Sequence, residues 1–108
     1  MPWFRLDDNF HGHPKVRAAG NAATGLWVRC ATYSAHYLTD GHIDTAIAHS
    51  YGTDRQINQL TTTRLWIPDD TGYLIPDYLD YNPSEKQVQN EREKARKRRA
   101  ESRFRTSS

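Results

Sequence analysis

Asp44-Thr45-Ala46-Ile47-Ala48-His49-Ser50-Tyr51-Gly52-Thr53-Asp54-Arg55-Gln56-Ile57-Asn58-Gln59-Leu60-Thr61-Thr62 decides how the rest of the chain is read. Asp44 is a capping residue type ahead of a helical run that Gly52 ends. Thr53 restarts a helix, with Gln56 at the spacing of a capping box. Ile57 and Leu60 lie about one turn apart and predict the inward side of that second helix. Two short helices joined across a tight Gly-containing turn predict a helix-turn-helix unit. Leu65-Trp66-Ile67-Pro68, the turn Asp69-Asp70-Thr71-Gly72 and Tyr73-Leu74-Ile75 follow directly. A hairpin in that position is a wing. The expectation is a winged helix-turn-helix fold, mainly α with a small antiparallel sheet.

Upstream, Asn21 is a plausible N-cap for a long helix reaching about Leu38. Ala23, Trp27, Cys30, Ala31, Ser34 and Leu38 share one face at helical spacing, and Leu26, Tyr33 and Tyr37 widen it. His13 to Gly20 predicts a shorter helix before it, with Pro14 in the first turn and Gly20 past the end. Trp3-Phe4-Arg5-Leu6 reads as an edge strand closed by Asp7-Asp8-Asn9. Thr39-Asp40-Gly41 ends the long helix, and His42-Ile43 supplies a short strand. Downstream, Pro76-Asp77-Tyr78-Leu79-Asp80-Tyr81 leads out of the sheet, with Tyr78, Leu79 and Tyr81 docked on the core. Asn82-Pro83 breaks the chain, and Ser84 with Gln87 repeats the capping-box spacing at the start of a last helix.

Charge divides the 108 residues at the same point. Residues 85–108 hold nine of the fifteen Lys and Arg and all four glutamates, a formal +5. The remaining six basic residues stand against nine aspartates, a formal −3. The net +2 therefore hides a polar molecule. This predicts a compact domain over residues 1–83 and a basic helical tail over residues 84–108, for which nucleic acid is the obvious anion.

If Ile57 and Leu60 face inward, Arg55, Gln56, Gln59 and Thr62 face outward, flanked by Asn58 and Thr63. Arg, Gln and Asn side chains form bidentate bonds with base edges, and a bare helix fits the major groove. Only Arg55 and Arg64 are basic nearby, while Asp54, Asp69 and Asp70 are acidic. The domain alone would hold phosphates weakly. The tail supplies the missing charge through Arg92, Lys94, Arg96, Lys97, Arg98, Arg99, Arg103 and Arg105. Glu93 with Lys97 and Glu101 with Arg105 support its helix at i,i+4. Its apolar residues, Val88, Ala95, Ala100 and Phe104, form no sustained heptad, which argues against a coiled coil.

Catalysis and metal binding find little support. The chain has no Gly-rich phosphate loop, nucleophile elbow or HExxH. Paired aspartates fall at turns, where that residue type belongs structurally. His11-Gly12-His13 is one short-spaced pair without the second that a structural zinc site needs. His36, His42 and His49 lie elsewhere, with His36 and His49 expected at the surface. The expectation is no enzyme, no metal and no cofactor. The single cysteine, Cys30, lies on an apolar face and excludes an intramolecular disulfide, favouring a reducing cytoplasm. No run approaches the length of a membrane span.

The order Trp3-Phe4-Arg5-Leu6-Asp7-Asp8-Asn9-Phe10, His13-Pro14-Lys15-Val16, Gly25-Leu26-Trp27-Val28, Leu38-Thr39-Asp40-Gly41, Leu65-Trp66-Ile67 and Asp77-Tyr78-Leu79-Asp80-Tyr81-Asn82-Pro83, then a charged helix, resembles short proteins of actinobacterial phages and prophages. More distantly it is similar to the N-terminal winged-helix domain of phage replisome organisers and DnaD-like replication initiators. The resemblance covers roughly residues 3–99. It implies a winged helix that binds DNA and often self-associates, in the cytoplasm of a host cell. The sequence departs from the DnaD-like pattern in carrying no second, C-terminal domain. The expected partner is double-stranded DNA, in replication initiation or transcriptional control, with replication or transcription proteins and a homodimer as further partners. The rival expectation is a protein-interaction adaptor that uses the winged helix for docking or dimerisation.

Overall fold

A computed structural model describes residues 3–76, 78 and 85–106, with side chains as far as residue 100. The elements run α1 (Pro14–Tyr37), β1 (His42–Asp44), α2 (Thr45–Tyr51), α3 (Asp54–Thr62), β2 (Ile67–Pro68), β3 (Gly72–Leu74) and α4 (Glu85–Thr106), with a short 3-10 turn at Phe10–Gly12 before them. The protein is mainly α with a three-stranded antiparallel sheet in the order β1-β3-β2. A helical hairpin between the first strand and a terminal β-hairpin is the winged helix-turn-helix arrangement.

The two helices expected upstream form one element broken at Gly20. Its φ of 86° and ψ of 169° lie outside helical space, and its positive φ is a region glycine enters without steric cost. His13 caps the start: its side chain accepts from the Lys15 N–H. Beyond the break, Ala23, Leu26, Trp27, Cys30, Ala31 and Ser34 are buried at the expected spacing. They pack with Ile43, Ala48, Ile57, Leu60, Trp66 and Ile75 into one core. Ser34 is its one buried polar side chain among the described residues. Its hydroxyl accepts from the Gly41 N–H at 2.7 Å and bonds the Thr39 hydroxyl at 2.6 Å, so burial leaves it paired.

Four expectations need correction. Trp3-Phe4-Arg5-Leu6 forms no strand. The segment is held by a side chain instead, because Phe4 packs edge-on against Trp27 at 5.8 Å and stacks on Tyr78 at 6.3 Å. Tyr37 does not widen the core face, being 63% exposed. Leu38 is the C-cap in left-handed geometry (φ 58°), which turns the chain and leaves it half-buried. The strands are also shorter than expected. Trp66 lies below β2, fully buried and stacked on Tyr73 at 5.1 Å. Its backbone N–H bonds the Leu60 carbonyl at 3.1 Å, which pins the wing to α3.

The wing turn is built by one carboxylate. Asp69 Oδ1 accepts from the N–H groups of Thr71 at 3.0 Å and Gly72 at 2.8 Å. The Thr71 bond, then His42 and Gly72, hold the Asp69 carboxyl below its ordinary range. Gly72 is required by closeness. A Cβ there would press on the Ile43 carbonyl oxygen and lie 2.9 Å from Asp44 Cα. Tyr78 is buried as expected. The expected docking of Leu79 and Tyr81, the break at Asn82-Pro83 and the cap at Ser84 fall outside the described residues.

Candidate nucleic-acid interface

Helix α3 is positioned by its cap and by its buried side. Thr53 Oγ1 accepts from the Gln56 N–H at 3.2 Å, and Gln56 Oε1 accepts from the Thr53 N–H at 3.0 Å. This is the full capping box expected from the sequence. Ile57 and Leu60 enter the core at 3% and 0% exposure. The opposite side is thereby turned out.

Of the residues expected to read DNA on this helix, five come together. Arg55, Asn58, Gln59, Thr62 and Thr63 line one shallow groove, closed on its far side by Ala18 of α1. Arg55, Asn58 and Thr62 are exposed, whereas Gln59 and Thr63 are half-buried. Thr63 donates its hydroxyl to the Gln59 carbonyl at 2.8 Å, so it shapes the groove from within the helix end. Gln56 is half-buried and its carboxamide oxygen serves the cap. Arg64 is carried elsewhere. It is left-handed at φ 62° and lines a different cavity with Phe4, Phe10 and Trp27. Ala18, which borders the groove from α1, was not among the expected residues.

The electrostatics around α3 are mixed. Asp54 lies in its first turn, where a negative charge complements the helix dipole. His49 Nε2 is 2.9 Å from Asp54 Oδ1. The Thr45 carbonyl, which bonds His49 Nδ1 at 2.8 Å, raises the His49 pKa, with Asp54 adding to the effect. The wing carries Asp69 and Asp70 and no Lys or Arg. His42 stands between two of the domain's carboxylates, 3.5 Å from Asp44 and 3.2 Å from Asp69.

The tail presents a second surface. In α4, Arg92, Arg96 and Arg99 border one concave strip with Gln89, Asn90 and Glu93. Their spacing of four and then three residues keeps them on one side of the helix. Lys94, Lys97 and Arg98 lie around the other side, and Lys97 is 3.6 Å from Glu93. Arg103 and Arg105 belong to the last helical turns, where side chains are not described. The tail begins on the domain: the Glu85 N–H bonds Asp40 Oδ1 at 2.8 Å, and Val88 is buried. Nothing in the sequence pairs position 40 with position 85.

A third feature was partly missed. Tyr33 and Tyr37 lie 4.6 Å apart, Tyr51 is 6.4 Å from Tyr33, and the Arg29 guanidinium sits 4.6 Å above the Tyr51 ring. The four-residue spacing of Tyr33 and Tyr37 resembled core periodicity, yet it continues past the core edge onto the surface.

Burial pushes the Cys30 thiol up to about 12, against a smaller opposing effect of Arg29. Among the described residues, no three His, Cys, Asp or Glu side chains are grouped to hold a metal ion. Nor is any described helix long and apolar enough to cross a membrane. No family model, curated protein or solved structure matches this chain.

Proposed function

We propose that this chain binds duplex DNA, with α3 in the major groove and the basic tail on the phosphates. The observation that carries the reading is the groove of Arg55, Asn58, Gln59, Thr62 and Thr63 on the outer side of a helix whose inner side is fixed by Ile57 and Leu60. Those residue types match the hydrogen-bonding edges of bases, and the helix is followed by a wing. The wing, with Asp69 and Asp70, is a poor phosphate ligand, so affinity falls to the tail. The resemblance to phage and prophage proteins favours a cytoplasmic role in replication initiation or transcriptional control.

The test compares the full chain with a variant lacking residues 91–108 on random duplex DNA at two salt concentrations. Tail removal should weaken binding to all sequences alike and flatten the salt dependence. Arg55→Ala with Gln59→Ala should instead cost about 1–3 kcal/mol per good base contact, and only on a preferred site. Failure of the full chain to bind duplex DNA at low salt would sink the reading.

One observation favours a protein-interaction adaptor instead. Tyr37, Tyr51 and Arg29 form an exposed aromatic and cationic group with Tyr33, and Tyr and Arg are enriched at protein interfaces. Salt-insensitive self-association, lost on Tyr37→Ala, would support that reading.

A further inference from the structure

Neither reading uses the bond that spans the turn between α2 and α3. His49 lies in the last turn of α2, and Asp54 is the first residue of α3. His49 Nε2 is 2.9 Å from Asp54 Oδ1, the one ion pair between the two helices among the described residues. On the other side of the ring, His49 Nδ1 is 2.8 Å from the Thr45 carbonyl oxygen. A carbonyl oxygen only accepts, and so does an ionised carboxylate. Both ring nitrogens must therefore donate, which only the imidazolium does. A neutral ring has one N–H and releases one of the two bonds.

The surroundings single out the same pair. α2 packs against α1, β1, β3 and α3. From α1 come Arg29, which lies over the Tyr51 ring, and Tyr33, whose ring meets Tyr51. β1 brings His42 and Asp44, 3.5 Å from each other, and β3 brings Tyr73, stacked on Trp66. α3 brings Asp54 and Arg55. Of these groups, Asp54 is the one whose charge acts on His49. The Thr45 carbonyl and then Asp54 raise the proton affinity of the ring, against a partial desolvation.

We propose that His49, as an imidazolium, is a positioning residue for α3 and makes duplex binding by this chain proton-linked. The proposal rests on the DNA reading above. Asp54 is 84% exposed and stands beside Arg55, one of the groove residues. The first residues of a helix in the major groove meet the DNA, and a bare carboxylate there repels phosphate. Charged His49 holds that carboxylate and balances it. Neutral His49 leaves the Asp54 charge uncovered at the end of α3 that enters the groove. Bound phosphates favour the cation further. Binding is therefore strongest below the ring's ordinary value of 6.5 and declines as pH rises through the raised one.

The experiment uses the full chain with His49→Gln and Asp54→Asn, both at exposed positions. The histidine Hε1 signals are followed by NMR against pH, His49 being the signal missing from His49→Gln. Its midpoint should lie above 6.5 and fall in Asp54→Asn. Fluorescence anisotropy on a random-sequence duplex, at low and constant ionic strength, then compares affinity at about pH 6 and about pH 8.5. The parent should lose about threefold more affinity over that interval than His49→Gln. At the higher pH, Asp54→Asn should bind about threefold more tightly than the parent. The other four histidines remain in His49→Gln, so the difference belongs to His49. Equal pH dependence in parent and His49→Gln, or a His49 midpoint that Asp54→Asn leaves unmoved, overturns the proposal while the DNA reading stands. Absence of duplex binding at both pH values removes the DNA reading and the proposal with it.

Discussion

Replacing Arg92, Arg96 and Arg99 together by Gln should flatten the salt dependence of duplex binding, while replacing Lys94, Lys97 and Arg98 by Gln should leave most of it. Each triple variant removes three positive charges from the same helix, so net charge cannot separate them. Helix geometry does. Arg92, Arg96 and Arg99 border one strip of α4. At about 100° per residue, the other three lie more than about 100° around the axis from the centre of that strip. A helix laid along a phosphate backbone engages one side at a time. Each phosphate contact contributes about 0.9 to the slope of log affinity against log salt, so loss of the strip removes about 2.7. Between about 50 and 200 mM salt, that difference makes the parent protein lose about fortyfold more affinity than the variant. Fluorescence anisotropy on a random-sequence duplex across that range measures both slopes. Equal flattening in the two variants would refute the strip and leave an arm that acts through total charge alone.

Trp27→Ala removes a ring held between Phe4 at 5.8 Å and Phe10 at 4.8 Å. The cost should be about 3–5 kcal/mol, much of a small domain's margin, and a cooperative melt close to that of the parent would contradict the core assignment. Gly72→Ala forces a Cβ against the Ile43 carbonyl, with Asp44 Cα and Thr45 N each at 2.9 Å. Parting β1 from β3 should cost about 1–3 kcal/mol, and an unchanged urea midpoint would show that the strands do not approach so closely. Cys30, with its thiol pushed up to about 12 by burial, should react with iodoacetamide only as fast as the domain opens. Rapid labelling in mildly alkaline buffer would place that thiol at the surface.

The elements that local chemistry specifies were legible in the sequence. Thr53 and Gln56 announce a cap through their spacing, and Gly20 marks a break that only a residue free to adopt positive φ takes easily. The wing was legible because its turn is made within four residues by Asp69 and Gly72. Features set by distant partners were not. Trp3-Phe4-Arg5-Leu6 has strand composition but finds no neighbouring strand, so Phe4 settles among rings. Arg64 follows α3 closely in sequence, yet its left-handed backbone turns it to another face. Five of the α3 candidates fell together because helical periodicity fixes them once Ile57 and Leu60 are buried.

The bond from Glu85 N–H to Asp40 fixes the phase of the arm as well as its point of departure. Starting a helix is its costly step, and a helix without an apolar side gains little from packing. Here the first turn is started by a carboxylate that belongs to the domain, at a left-handed residue (φ 56°) whose own direction the fold dictates. Asp40 thus acts as a keyed coupling, setting which way each arginine of a 22-residue shaft points relative to α3. One alanine inserted between Asn90 and Glu91 would keep the key and every charge, yet rotate the whole arginine strip by about 100°.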